Sequence, residues 1–170
     1  MKSLCFTGHR PNKGLYGFDP YSKGNKKLLN IMRKEIINYI ENEDVSIFIT
    51  GMAIGIDQWA ARIVLALRKQ YPHIQLTAAL PCRKQYAKWS EEQQTEWQKI
   101  IDRCQHIETV SNSYYWNGCM QRRNEWMVNN SDFVLGIWNG TKSGTKNCLD
   151  YAYLQGKSVK IINPKTFEVG

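Results

Sequence analysis

Two periodicities alternate along this chain. Short, strand-like runs recur at Ser3–Phe6, Val45–Thr50, Gln75–Leu80, His106–Val110, Phe133–Trp138 and Ser158–Ile162, and each predicts a β-strand. Between them the spacing turns helical. Leu28, Leu29, Ile31, Met32, Ile36, Ile37 and Ile40 form a broad apolar stripe that predicts a helix from about Lys26 to Glu41. Ala60, Ile63, Val64 and Leu67 do the same for a helix starting near Ile56 and ending before Pro72. Ser90-Glu91-Glu92-Gln93 has the capping-box pattern and predicts a helix running on to Arg103. Two more helices are expected, from about Cys119 to Asn129 and from about Thr145 to Gln155, the second with Gly156 as its C-cap. Arg10–Asn25 and Ser111–Gly118 read as loops. Alternating strands and helices imply an α/β fold with a mostly parallel sheet of about six strands and right-handed crossovers.

Three of the predicted strands end in glycine-bearing turns: Thr7-Gly8-His9-Arg10-Pro11, Thr50-Gly51-Met52-Ala53-Ile54-Gly55-Ile56-Asp57 and Asn139-Gly140-Thr141-Lys142-Ser143-Gly144-Thr145. In an open parallel sheet such turns share the carboxyl edge, where ligands bind at the point of strand-order reversal. Glycine allows close backbone approach, and a following helix directs free N–H groups at an anion. A phosphate-bearing small molecule is the ligand class this pattern suits. The same glycines also serve plain tight turns.

Composition narrows the choices. The 170 residues contain no repeat, linker or low-complexity tract and read as one domain, 1–170. No apolar run approaches the ~20 residues of a membrane span, and the start lacks the apolar stretch of a signal peptide, so a cytoplasmic location is expected. The five Cys, at 5, 82, 104, 119 and 148, show no Cys-x-x-Cys spacing, and free thiols are expected. His9, His73 and His106 lie in different elements without carboxylates at ligand spacing, so no metal site is expected. No Gly-x-x-x-x-Gly-Lys-Ser/Thr motif is present, which argues against a P-loop hydrolase. The formal net charge of +8 attracts anions, nucleotide and nucleic acid alike.

Taken in order, Thr7-Gly8-His9-Arg10-Pro11, Gly51-Met52-Ala53-x-Gly55-x-Asp57-x-Trp59-Ala60-Ala61, Ala79-Leu80-Pro81-Cys82 with Gln85 and Trp89, Gly118-Cys119-Met120-x-Arg122-Arg123-Asn124, Ser131-Asp132 and Gly140-x-x-Ser143-Gly144-Thr145 resemble the motifs of the YpsA-type proteins in the SLOG superfamily. The resemblance covers nearly the whole chain. It implies a Rossmann-like three-layer sandwich, a nucleotide-type pocket, and a bacterial or phage setting. Many proteins of the superfamily associate, so a homo-oligomer is an expectation. The superfamily also holds the LOG phosphoribohydrolases and the single-stranded DNA-binding protein DprA. In LOG enzymes a Glu serves hydrolysis of an N-glycosidic bond, and the matching position here is Cys148, which cannot act as a carboxylate. The flanking domains of DprA have no counterpart in the match.

Most of the candidate residues carry more than one reading. Gly8, Gly51, Gly55 and Gly140 shape turns or make room for a phosphate or sugar. Asp57 caps its helix or accepts from a ribose hydroxyl. Ser143, Gly144 and Thr145 open the last helix as an anion site or a plain N-cap. Arg10 and Arg123, with Asn124 beside the latter, offer planar donor forks for phosphate or form surface salt bridges. His9 is a hydrogen-bonded turn residue or an acid–base group. Asp132 is a structural cap, a group orienting Arg123, or a catalytic acid. Trp126 and Trp138 read as packing, while Tyr114-Tyr115-Trp116 stands in a polar loop where stacking on a base stays open. Arg83, Lys84, Lys88 and Lys142 add positive charge along the same sheet edge. Three functions follow as expectations. The first is a binder that senses or sequesters a nucleotide or nucleotide derivative (ADP-ribose-like or a signalling nucleotide) without a cofactor. The second is an N-glycosidic hydrolase or transferase using Asp57 or Asp132. The third is a single-stranded nucleic-acid binder.

Overall fold

A computed structural model describes residues 1–170. The chain alternates β1 (Lys2–Gly8), α1 (Lys23–Asn42), β2 (Val45–Thr50), α2 (Ile56–Leu67), β3 (Gln75–Leu80), α3 (Glu91–Ile101), β4 (His106–Thr109), α4 (Cys119–Asn129), β5 (Phe133–Ile137), α5 (Gly144–Leu154) and β6 (Ser158–Ile162). All six strands pair in parallel in the order β4-β3-β2-β1-β5-β6. The chain therefore builds outward from β1 to β4, then crosses back to lay β5 against the other side of β1. The carboxyl ends of β1 and β5 flank the switch point, where Gly8 pairs with Ile137.

Side-chain alternation along the strands feeds two apolar layers. Leu4 and Phe6 of β1 and Phe48 of β2 pack with α1, α2 and α3 through Leu28, Met32, Ile36, Trp59, Val64 and Trp97. Cys5, Ile49 and Val134 face the other way, toward Met127 and Val128 of α4 and Cys148, Leu149 and Ala152 of α5. The result is the Rossmann-like three-layer sandwich.

Boundaries moved where local hydrogen bonding extends an element. β1 runs on through Gly8 because β5 continues to pair with it. α1 begins three residues earlier than the apolar stripe suggests, at Lys23. Ser90 and Gln93 form both bonds of the capping box. Gly156 takes φ +69 beyond α5, as a C-terminal glycine does.

Candidate functional site

The turn after β2 is built from its own side chains. The Thr50 hydroxyl donates to the Asp57 carbonyl at 2.8 Å and accepts from the Met52 N–H at 3.2 Å. Gln58 Nε2 donates to the Met52 carbonyl at 3.1 Å. The Ala53 N–H donates to Asp57 Oδ2 at 3.2 Å, which carries the carboxylate back over the first turn of α2. Met52 and Gly55 take positive φ, +61 and +104. At Gly55 a Cβ would also lie 2.8 Å from Pro11 Cδ, so the first and second turns meet there only because this residue has no side chain.

The first and third turns are joined by His9. Its Nε2 accepts from the Asn139 N–H at 3.0 Å, a bond spanning 130 positions of chain. This acceptance fixes the neutral tautomer with its proton on Nδ1. Burial holds the imidazole below its ordinary pKa, with the Asn139 side chain pulling the other way.

The third turn ends at Ser143, whose Oγ accepts from the Lys146 N–H at 3.1 Å and caps α5. The N–H groups of Gly144 and Thr145 have no partner within the fold. Thr145 is only 5% exposed, and its hydroxyl is likewise unpartnered. These donors face a cavity of about 430 Å³ that opens at the switch point.

The fourth wall comes from α4, where Met120, Arg123 and Asn124 share one face at i, i+3 and i+4. Arg123 is buried. Its Nη1 donates to the Gly51 carbonyl and, at 3.4 Å, to the Ala79 carbonyl, and its Nε donates to Asn124 Oδ1 at 3.0 Å. Burial lowers the guanidinium pKa, and the Asp57 charge opposes that shift. Burial likewise raises the pKa of the Asp57 carboxyl, with Arg123, the Ala53 N–H and Arg10 pulling it down. Arg10, Lys13, Arg123 and Lys142 line the cavity against one acid, Asp57. Arg10, Lys13 and Lys142 form no ion pair within the protein. The arrangement can hold an anion at the α5 N-terminus, with a carboxylate deeper in the same cavity to receive a hydroxyl.

Of the residues singled out from sequence, Gly8, His9, Arg10, Asp57, Arg123, Asn124, Ser143, Gly144 and Thr145 line this one cavity. Four other candidates lie outside the cavity lining. Asp132 precedes β5 and so lies at the amino edge of the sheet, the end opposite the cavity. Its Oδ2 accepts from the Ser3 N–H at 2.9 Å, which ties the starts of two strands together and leaves it away from Arg123. Gly140, at φ +92, borders a separate shallow depression with Trp138 and Asn163. Gly51 stands behind the cavity wall, where its carbonyl holds Arg123, and Gly55 supports the turn without lining the cavity. The alternative of a surface salt bridge for Arg123 fails, because the side chain is buried and bonded to carbonyls.

Asn12, Lys13 and Met120 were missed. The helical spacing from Arg123 and Asn124 pointed to Met120; nothing local pointed to Asn12 or Lys13. Cys148, on α5, is fully buried in the layer that packs α4 and α5 on the sheet, and burial pushes its thiol up to about 11. The position that carries Glu in LOG enzymes thus contributes an inert core thiol. Tyr114, Tyr115 and Trp116 are exposed beyond β4, an edge strand, and none of them lines the cavity. Arg83 stacks over Tyr114 at 5.2 Å. Of the basic residues expected along this edge, Lys142 lines the cavity and Arg83, Lys84 and Lys88 do not. No helix is long and apolar enough to cross a membrane. No three His, Cys, Asp or Glu side chains stand together as a metal site.

This sheet order, with a basic crevice at the β1/β5 switch point, defines a doubly wound, Rossmann-like α/β protein. The chain belongs to the YspA SLOG family (YpsA), whose model matches residues 4–165. Among its relatives is the SPbeta prophage-derived protein YoqJ of Bacillus subtilis, 34% identical over 137 residues, covering 74% of this chain and 80% of the relative. A UPF0398 protein of Brevibacillus brevis is 28% identical over 151 residues, covering 88% of this chain and 79% of the relative. In fold it is similar to DNA processing protein A of Helicobacter pylori, a structure described for its single-stranded DNA binding mode, with TM-score 0.65 and 16% identity over 95% of this chain. The Streptococcus pneumoniae DprA gives TM-score 0.63, also at 16% identity, over 96% of this chain. The chain spans 65% and 50% of those two longer proteins.

Proposed function

We propose that the switch-point cavity binds a nucleotide or nucleotide-derived ligand through its phosphate, and that the protein senses or sequesters that ligand. The observation that carries this reading is the unpartnered donor set at the α5 N-terminus: two free N–H groups and the hydroxyl of Thr145, a residue only slightly exposed. A helix N-terminus with free N–H groups attracts anions, and the flanking Arg10, Lys13 and Lys142 add charge. Asp57 fits a ribose hydroxyl as an acceptor. Binding needs no further carboxylate, in keeping with the buried thiol at position 148.

A thermal-shift and calorimetry panel of AMP, ADP, ADP-ribose, NAD and cyclic nucleotides tests it. A ligand at ~100 times its Kd adds about 2.7 kcal/mol. That raises Tm by roughly 5–10 °C for a chain this size. Silence across the panel refutes the reading. Chromatography of the recovered ligand separates a binder, which returns it intact, from a hydrolase acting through Asp57.

Three observations together favour a second reading. The shared fold with DprA, together with the exposed Tyr114-Tyr115-Trp116 loop and Arg83, fits a single-stranded nucleic acid running along the carboxyl edge. Oligonucleotide binding that weakens steeply with salt supports it, and binding indifferent to salt does not.

A further inference from the structure

A second chamber of about 280 Å³ opens beside the first, and the two share Arg10, Asn12, Ala53 and Met120 as a common boundary. Its character differs. Whereas the first cavity is ringed by cations, hydroxyls and N–H groups, the second is walled by Phe18, Ile54, Trp89, Pro11 and two glutamines. Phe18 is 57% exposed, in the loop between β1 and α1, and stacks on no other ring of the protein. That loop is held in place from behind: the Asn25 amide donates to the carbonyls of Gly17 at 2.9 Å and Asp19 at 2.8 Å, on either side of Phe18. Trp89 is anchored through its carbonyl, which accepts from Gln94 Nε2 at 3.1 Å, while its indole N–H has no partner.

The two glutamines are in opposite states. Gln85 is held at both ends: its Nε2 donates to the Gly51 carbonyl at 3.0 Å and its Oε1 accepts from Trp97 Nε1 at 3.1 Å. It is a rigid wall tied to the carbonyl that also holds Arg123. Gln93 uses only its Oε1, in the capping box with Ser90, and its Nε2 is free.

We propose that this chamber is the base subsite of the same ligand, so that a nucleobase stacks on Trp89 and Phe18 while Gln93 Nε2 meets an acceptor on its edge. The inference rests on the phosphate reading above and adds what that cavity lacks, an apolar face for a flat heterocycle. Arg10, on the shared boundary, would then lie between phosphate and base.

Calorimetry on the whole protein tests it, with ribose 5-phosphate, AMP, GMP, CMP and UMP as probes. At least one nucleotide is expected to bind roughly 5- to 100-fold tighter than ribose 5-phosphate, the range that base–aromatic stacking supplies. Trp89→Leu and Phe18→Ala should each bring that nucleotide toward the affinity of ribose 5-phosphate and leave ribose 5-phosphate itself unchanged. Phe18 is exposed enough that its replacement does not threaten the fold. If ribose 5-phosphate binds as tightly as every nucleotide, or the preference survives in both variants, the base subsite is wrong and the phosphate site stands. If no probe binds, both readings fall together.

Discussion

Gly51 and Arg123 occupy one space between them. Arg123 Nη1 donates to the Gly51 carbonyl, and a Cβ on residue 51 would lie 2.6 Å from the guanidinium carbon. A residue from the second turn and one from α4, 72 positions apart, are thereby fixed to each other, and the guanidinium is held at the cavity wall with its charge buried.

Gly51→Ala is expected to push the guanidinium aside. The atoms it meets are the tip of a flexible side chain, so the stability cost should be about 1 kcal/mol, the scale of one hydrogen bond. Affinity for a nucleoside monophosphate should fall about 10-fold. Arg123→Met, which leaves the Gly51 and Ala79 carbonyls without this donor, should cost more stability, about 2–3 kcal/mol. Urea unfolding and calorimetry on the two variants check both numbers.

Gly8→Ala should show the reverse balance. A Cβ there would stand 2.5 Å from Ile56 Cβ, an atom fixed to the α2 backbone. Neither side can swing away, so β1 and α2 must separate, at a cost of about 2–3 kcal/mol. Ile56→Ala cannot rescue it fully, because the offending Cβ survives. A double-mutant cycle by urea denaturation gives the coupling.

Ser143 and Thr145 divide capping from binding. Ser143→Ala removes the cap of α5 and should cost about 1 kcal/mol of stability. Thr145→Val removes a hydroxyl that bonds nothing within the protein, so stability should change little while phosphate affinity falls roughly 10-fold. Equal effects of the two variants on Tm and on Kd would contradict this division.

His9 predicts a pH dependence. Its pKa is lowered in the folded state by burial, so as pH falls through about 6.5 the unfolded chain takes a proton that the folded chain refuses. Stability contributed by the neutral ring is full above that point and is lost progressively toward the folded pKa. Asp57 acts oppositely: its raised pKa means that the folded state gains stability as pH falls through it. The difference in Tm between wild type and His9→Gln, followed from pH 7.5 to 5, isolates the histidine. It should shrink with acidification, and a constant difference would contradict the assignment.

Much of the site is legible in the sequence. Arg123, Ser143, Gly144 and Thr145 were found because helix starts carry strong local chemistry. At Gly51 the structure adds what no spacing along the chain reveals, the close approach of the Arg123 guanidinium. Asp132 is assigned to the amino edge by its position alone, since it stands just before a strand of a parallel sheet, and the structure ties it there to Ser3.

Sequence alone determined the elements and their alternation, since apolar period and caps act within a few residues. It also placed the three turns on the carboxyl edge, because strands joined by helical crossovers run parallel. Tertiary structure alone decided that β5 returns to lie beside β1. That pairing brings the first and third turns together through His9 and Asn139 and buries Arg123 against Gly51. Strand order is decided by the burial of both sheet faces at once, a property of the whole chain that leaves no mark on any single segment.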